Sequence, residues 1–245
     1  MTSVAASAEL LTPSPVNVLR ILREGFRTLF HTARIVVPLV LFSWAIAFST
    51  NFQYYIVIPD YLSFYVLIPL YNILYVLFIG AVIIAVFEYL EGRKISLGWC
   101  FRQLRGRALP YLGLIIMIGF AELAGFLFIV IFAIILAARW YVAVPCLLGE
   151  GLGPRKSLAR SAMLTQGSRV RVLTLAFIIG LPWFLVSVVL VELSESYGSL
   201  LFSGIILLLD HIIGAYAAVT MTLLHRDLRR RREGPGRDEL TAIFA

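Results

Sequence analysis

Charged residues are scarce in this chain. Asp, Glu, Lys and Arg make up 14% of the 245 residues, whereas hydrophobic residues make up 60% and the mean hydropathy is +0.92. A soluble domain has roughly 25% charged and 45–50% apolar residues. The excess apolar surface needs lipid as its solvent. The composition therefore predicts an all-α, polytopic integral membrane protein without a separate soluble domain.

Residues and motifs that carry catalysis or bind metals are also few. The two cysteines, Cys100 and Cys146, do not form a CxxC pair, and the three histidines are far apart in the sequence. The chain has no HExxH metal helix, no GxSxG nucleophile turn and no GxxxxGK[ST] phosphate loop. We therefore expect a non-enzymatic protein with no catalytic residue, no cofactor and no metal site.

The positions of the basic residues predict how the chain is threaded. The net charge is +7, and the 21 Lys and Arg fall between apolar segments: four before the first predicted span, five between the second and third, six over 139–171 and six after the sixth. Basic loops stay on the cytoplasmic side of a bacterial-type membrane. This pattern predicts the bacterial inner membrane with both termini in the cytoplasm. Short basic runs of this kind set topology and attract anionic lipid, so nucleic acid is not expected as a partner.

The longest apolar segment, 108–148, determines the number of spans. It is about twice the ~20 residues that one membrane helix needs, and basic residues flank both of its ends. Two crossings with a turn near 122–124 keep both flanks inside. The whole pattern predicts one domain, 1–245, with six transmembrane helices in three hairpins. The predicted spans are 35–52, 62–89, 108–123, 125–148, 170–193 and 200–224, followed by a cytoplasmic tail over 225–245.

Short amphipathic helices are predicted on the cytoplasmic surface. The first covers 15–33, with Ser14 as its cap and Pro15 at its first position. Its apolar side is predicted to consist of Val18, Leu22, Phe26 and Leu29. Similar stretches at 97–108 and 155–166 precede the other two hairpins. This indicates a threefold repeat, with chance similarity between apolar segments as the alternative.

Basic side chains on these stretches are candidates for contact with lipid phosphates or with a cytoplasmic partner. The candidates are Arg20, Arg23, Arg27, Arg102, Arg105, Arg155, Lys156 and Arg160. An interfacial helix binds a membrane through its apolar side and through attraction of its basic side to anionic lipid. The leading hypothesis is an accessory or scaffolding subunit that binds lipid and packs against another membrane protein or a second copy of itself.

Asp210 and His211 are the sharpest polar feature, because they lie in the middle of the sixth predicted span. An acidic residue at the bilayer centre costs about 2.5–3.5 kcal/mol on insertion scales, so such residues usually face a bundle interior or an aqueous path. Two interpretations remain open. Asp210 bonds to a neighbouring helix, or the pair forms a polar path in a small transporter or lipid-handling protein.

Three stretches in the second half of the chain carry recognisable motifs. Residues 139–145 read RWYVAVP, residues 150–161 read EGLGPRKSLARS, and residues 224–234 read LHRDLRRRREG. They resemble patterns in bacterial membrane proteins related to the membrane domain of glycerophosphoryl diester phosphodiesterase. The match departs at Ser157, where that group has alanine.

The resemblance covers 139–234 well and the first half of the chain only by topology. It implies a six-helix inner-membrane protein without the catalytic phosphodiesterase barrel. It transfers no catalytic residue, so it bears on the fold more than on the function.

Overall fold

The computed structural model describes residues 16–52, 66, 68–128, 130–197 and 200–234. These residues contain nine α-helices and no strand, which confirms the all-α prediction. The helices are α1 Val18–His31, α2 Ala33–Phe52, α3 Ile68–Leu90, α4 Leu97–Phe128, α5 Val130–Trp140, α6 Ala143–Glu150, α7 Pro154–Thr165, α8 Arg169–Tyr197 and α9 Leu200–Glu233.

Five helical segments in the described part of the chain are long and apolar enough to cross a membrane. They are Pro69–Leu90, Leu97–Gly125, Ile131–Glu150, Arg169–Leu193 and Phe202–Glu233. The number of candidate spans rises to six if α1 and α2, which meet at an angle of 84°, are taken together as one bent span. The polytopic architecture is thus confirmed, with α2 in the place of the first predicted span.

Consecutive spans pack as three hairpins, α2 with α3, α4 with α5, and α8 with α9. Helix α9 is central, because it also contacts α1, α2 and α3. Trp44 on α2 donates its Nε1–H to the backbone oxygen of Gly204 on α9 at 2.8 Å, and Tyr111 on α4 donates its hydroxyl to the backbone oxygen of Val76 on α3 at 2.9 Å. We call the end of the bundle where α2 begins and α9 ends the basic end.

The turn of the central hairpin lies later than predicted. Helix α4 continues through 122–124 to Phe128, and α5 begins at Val130. Gly125 allows α4 and α5 to pack closely, since a Cβ added there would lie 3.2 Å from the backbone of Ala133 on α5. Small residues allow membrane helices to approach each other in this way. The glycine that follows the predicted turn therefore belongs to the hairpin interface.

The helices continue past three other predicted span boundaries, while the apolar segment of α8, Arg169–Leu193, ends where the fifth span is predicted to end. Residues 97–108 form the first part of α4, α8 continues to Tyr197, and α9 continues through the predicted tail to Glu233. Helices α4 and α9 have 32 and 34 residues. At about 1.5 Å per residue they are about 48 and 51 Å long, more than the ~30 Å hydrocarbon core. Their arginine-rich ends therefore extend beyond the lipid. The amphipathic stretch before the central hairpin is continuous with α4, whereas the stretches before the other two hairpins form separate helices, α1 and α7.

The second arm of the central hairpin ends in short helices. A turn at Tyr141 and Val142 separates α5 from α6, and Gly151 ends α6 in the left-handed conformation with φ +68°. Pro154 then opens α7, where its fixed φ favours the first helical turn. This agrees with the amphipathic helix predicted over 155–166.

The N-terminal amphipathic helix is present, but its start and its packed side differ from the prediction. The predicted cap, Ser14, and Pro15 lie outside the described residues. The described helix follows Asn17, whose side chain accepts the backbone N–H of Arg20 at 3.1 Å. Its buried side consists of Ile21, Gly25 and Thr28. Val18, Leu22 and Leu29 of the predicted apolar side also pack against the core, partly buried, whereas Phe26 is 58% exposed.

Helix α8 and the second half of α4 lie on the outside of the bundle. The buried share of their apolar segments is 11% for α8 and 17% for α4. The core lies instead among α3, α4, α6 and α9, with fully buried side chains that include Ile83, Tyr111, Leu147 and Leu224. Exposed apolar helices of this kind are stable only in lipid or against another membrane protein.

Replacing Gly25 by alanine tests the packing of α1 on α9. The added Cβ would lie 2.6 Å from Cγ2 of Thr220, so a side chain must move, and we expect the variant to lose about 1 kcal/mol or more of stability. Gly98→Ala is the matched control, since nothing lies within 4 Å of its Cβ and alanine favours an exposed helix by about 0.5–1 kcal/mol. Thermal unfolding of both purified variants in detergent measures the difference. Equal unfolding midpoints would contradict the packing.

Candidate functional site

Asp210 and His211 lie in the middle of α9 but have different neighbours. Oδ1 of Asp210 accepts a hydrogen bond from Nε1 of Trp183 on α8 at 3.1 Å. His211 is fully buried, with Nδ1 2.6 Å from the backbone oxygen of Leu207 and its ring centroid 5.1 Å from that of Tyr75 on α3. Consecutive residues of a helix point about 100° apart. The hydrogen bond of Asp210 and the ring contacts of His211 therefore involve different neighbouring helices, α8 and α3.

The hydrogen bond between Trp183 and Asp210 fits the interpretation in which Asp210 bonds to a neighbouring helix. Such bonds between membrane helices contribute about 0.6 kcal/mol on average and up to about 1.7 kcal/mol. His211 differs, because its Nε2 is buried and finds no hydrogen-bond partner among the described residues. The aromatic rings of α3 surround it instead.

The predicted contacts for lipid or a partner divide into two groups. Seven of the eight side chains are exposed: Arg20, Arg23, Arg27, Arg102, Arg105, Arg155 and Lys156. Arg155 and Lys156 line a surface groove of about 410 Å³ together with Met117, Gly153 and Pro154. This groove places two cations beside an apolar side chain.

Arg160 is the exception, because its side chain is 16% exposed and belongs to a polar cluster. We define the inner polar cluster as Glu150, Arg160, His225 and Glu233. Arg160 donates from Nε to Oε2 of Glu150 at 2.9 Å and from a terminal nitrogen to Glu233. Nε2 of His225 lies 2.9 Å from Oε1 of Glu150. The cluster therefore joins α6, α7 and α9 at the basic end, and Arg160, unlike the other candidates for contact with lipid or a cytoplasmic partner, is paired within the chain.

Cys146 lies beside the inner polar cluster. Its Sγ, a carboxylate oxygen of Glu150 and a ring nitrogen of His225 all lie within 4.8 Å of one another. Cys146 and His225 are 0% and 1% exposed. Cys146 and Glu150 are four residues apart on α6, so their side chains share one side of that helix. A thiol, a carboxylate and an imidazole thus converge at one point.

Hydroxyl groups hold α7 in position for this cluster. Ser161 and Thr165 both donate to the backbone oxygen of Arg139, at 3.0 and 3.2 Å, where α5 ends. Ser157 donates to the backbone oxygen of Gly153 at 3.0 Å and closes the first turn of α7. The two bonds to Arg139 satisfy a carbonyl group that the end of α5 leaves without a helical partner.

The electrostatics of the cluster keep Arg160 charged. Burial lowers the pKa of its guanidinium group, but the carboxylates of Glu233 and Glu150 outweigh burial and raise that pKa above the ordinary value. Glu233 also accepts a hydrogen bond from Arg229 at 2.9 Å. Two carboxylates and two guanidinium groups therefore neutralise one another next to His225.

Sequence reasoning missed the inner polar cluster because its members are far apart in the chain. Glu150 and His225 are 75 residues apart, and the three histidines were expected to be too dispersed to share a site with a cysteine. Two weaker signals were present. Cys146 and Glu150 have helical spacing, and Glu150, Arg160 and Glu233 each stand in one of the stretches that carry the family resemblance.

Comparison of the chain with protein-family models, with curated proteins and with solved structures found no match. The resemblance to the phosphodiesterase membrane domain therefore stays a prediction. The function of the chain is inferred from its own contacts.

Replacing Arg160 by glutamine tests the inner polar cluster. The variant leaves the partly buried carboxylate of Glu150 without its guanidinium partner, and we expect a loss of about 1.5–3 kcal/mol, as is typical for a hydrogen bond to a charged group. Arg155→Gln on the same helix is the control, since that side chain is exposed and should change stability by about 0.5 kcal/mol or less. Unfolding in detergent compares the two. Similar losses in both variants would show that the cluster does not stabilise the bundle.

Two substitutions of Asp210 test its contact with α8. Asp210→Asn keeps an oxygen that can accept the Trp183 N–H, so we expect stability close to that of the unmodified protein. Asp210→Leu removes the acceptor, and we expect a loss of about 0.6–1.7 kcal/mol. The measurement is thermal unfolding in detergent, with Trp183→Phe as a second way to remove the same bond. A stable leucine variant would rule out the hydrogen bond as a packing contact.

Proposed function

We propose that the protein is a non-enzymatic inner-membrane protein that binds anionic lipid at its basic end and serves as an accessory or scaffolding subunit. The observation that carries this proposal is the position of α1, which lies at 84° to α2 and packs along α9. A helix so oriented lies along the membrane surface when α2 crosses the bilayer. The charge distribution favours the cytoplasmic surface, with both termini inside.

Helix α1 has three sides, and each suits a different environment. One side packs on the bundle, as described above. The second consists of apolar side chains that are 75%, 58% and 66% exposed: Leu19, Phe26 and Phe30. The third consists of exposed arginines: Arg20, Arg23 and Arg27. Because the apolar side lies next to the basic side, the helix can place its apolar side chains in the acyl region and its guanidinium groups at the lipid phosphates.

Two more basic elements lie at the same end of the bundle. Arg102 and Arg105 are exposed on the part of α4 that extends beyond the lipid core. The groove with Arg155 and Lys156 is lined by Met117 as well, so it can receive a phosphate and part of an acyl chain together. Each basic residue near an anionic membrane surface contributes about 1 kcal/mol of attraction. These elements support anionic lipid as the ligand.

The exposed helices α4 and α8 support the scaffolding part of the proposal. Their apolar segments are mostly outside the bundle core, and α8 presents large side chains along its length, including Phe177, Leu181, Phe184 and Val188. Lipid covers such faces in an isolated chain, and another membrane helix can replace that lipid through side-chain packing. The proposed partner is another integral membrane protein or a second copy of this chain.

The transport alternative has less support from the described contacts. Asp210 contacts α8 while His211 faces α3, so the two groups do not form a continuous relay. The proposal also includes the resemblance to the membrane domain of glycerophosphoryl diester phosphodiesterase. The resemblance is supported by contacts among its three stretches, because Ser161 donates to the backbone oxygen of Arg139 and Arg160 pairs with Glu233.

Lipid retention by the purified protein tests the role of α1. Native mass spectrometry in mild detergent would compare retained phosphatidylglycerol with phosphatidylcholine. We expect the unmodified protein to prefer the anionic lipid, and the double variant Arg23→Gln/Arg27→Gln to lose about tenfold or more in that preference, since each arginine contributes about 1 kcal/mol. The control Arg93→Gln/Lys94→Gln removes the same charge from the connection between α3 and α4, where Arg93 pairs with Glu88 and Glu91.

Three outcomes would overturn the proposal. The first is an unmodified protein that retains both lipids equally. The second is an equal loss in the α1 variant and its control, which would assign the preference to net charge alone. The third concerns the scaffold, since the same spectra show co-purifying chains. A protein that runs alone in every preparation would contradict the subunit role.

A further inference from the structure

We propose that Cys146, Glu150 and His225 form a binding site for a divalent transition-metal ion of the zinc class. The proposal is independent of lipid binding. It rests on three donor groups that meet at the basic end of the bundle, although neither the sequence spacing nor the apolar character of the chain predicts a metal site. Thiolate and imidazole ligands select zinc-like ions, whereas Ca²⁺ and Mg²⁺ prefer oxygen ligands alone.

The geometry of the three donors fits such an ion. Zinc binds thiolate sulfur at about 2.3 Å and histidine nitrogen at about 2.0–2.1 Å, so its ligand atoms lie roughly 3–4 Å apart. The three donor atoms here lie within 4.8 Å of one another, so their longest separation exceeds that spacing by at most about 1 Å. Three protein ligands leave the fourth tetrahedral position for water or a further ligand.

The polypeptide holds these donors firmly. Cys146 and Glu150 project from the same side of α6, and His225 approaches from α9. His225 is 1% exposed, and its Nδ1 has no hydrogen-bond partner among the described residues while Nε2 faces Glu150. If Nε2 binds the metal, its contact with Glu150 is replaced by a shared metal ion, and both groups become ligands from adjacent positions.

The charged groups around the site permit a cation to bind. Arg160 contacts Oε2 of Glu150, and the positive charge of Arg229 also lies near Cys146. Both guanidinium groups pair with Glu233, which offsets their charge. Without that carboxylate, two arginines would oppose a metal ion at this position.

Cys100 provides an internal comparison. Like Cys146 it is a free, fully buried cysteine. Among the described residues it belongs to no group of histidine, cysteine and acidic side chains that could hold a metal ion. A metal that binds through any buried thiol would use either cysteine, whereas the proposed site requires Cys146.

Cobalt(II) alone is the probe for the experiment, because a thiolate bound to cobalt gives a charge-transfer absorption band. The full chain, purified in mild detergent with a reductant that does not bind metal, is titrated with cobalt(II) and then with zinc(II). We expect a thiolate band that saturates at one cobalt per chain and disappears as zinc displaces cobalt. Cys100→Ser should keep the band, and Cys146→Ser should lose it. His225→Gln should weaken binding by at least about tenfold.

Every outcome of the titration decides the proposal. Absence of a thiolate band in the unmodified protein overturns it, and that measurement needs no variant to fold. A band that survives in Cys146→Ser, or vanishes in Cys100→Ser, assigns the thiolate to the other cysteine and also overturns it. Size-exclusion profiles and unfolding midpoints of both serine variants show whether a lost band reflects a lost ligand or a lost fold. If Cys146→Ser fails to fold, Glu150→Gln replaces it, with weakened binding expected and unchanged binding contradicting the site.

Discussion

The exclusion of charged side chains from hydrocarbon is the constraint on which this structure depends. An ionised group at the bilayer centre is costly, so basic residues must lie where the helices leave the lipid. Helices α4 and α9 meet this requirement by length, because each is longer than the hydrocarbon core and carries its arginines at one end. The apolar parts of the helices stay in lipid, and charge accumulates at the basic end. The inner polar cluster, helix α1 and the groove beside Arg155 and Lys156 therefore all occur there.

The same constraint explains which parts of the fold could be predicted. Apolar segments of about 20 residues between basic runs identify membrane helices and their pairing. The position of a turn is a weaker signal, because apolar residues favour helix on either side of it. Gly125 could mark a turn or a close contact, and only its approach to Ala133 decides between them. The long α9 was cut short in the prediction because a charged segment was interpreted as a tail, although nothing between Gly214 and Gly234 breaks a helix.

The inner polar cluster was beyond prediction for a different reason. Helical periodicity relates residues three or four apart, whereas Arg160 and Glu233 are 73 residues apart and meet only when α7 and α9 pack. The burial of an arginine is likewise decided by its tertiary neighbours. Arg155 and Arg160 lie on one short helix with the same charge and the same flexibility. One faces a groove, and the other is enclosed by two carboxylates.

Asp210 and Glu150 differ in the polar groups that surround each carboxyl group. Asp210, in mid-membrane, has a single neutral donor, and such a contact is sufficient for helix packing. Glu150, at the basic end, contacts a guanidinium group and an imidazole and has a thiol within reach. Apolar side chains of similar volume can often replace a buried ion pair without loss of stability. Helix packing alone therefore does not require this combination of groups at Glu150, whereas a cysteine, an imidazole and a carboxylate are all side chains that zinc-class ions accept as ligands.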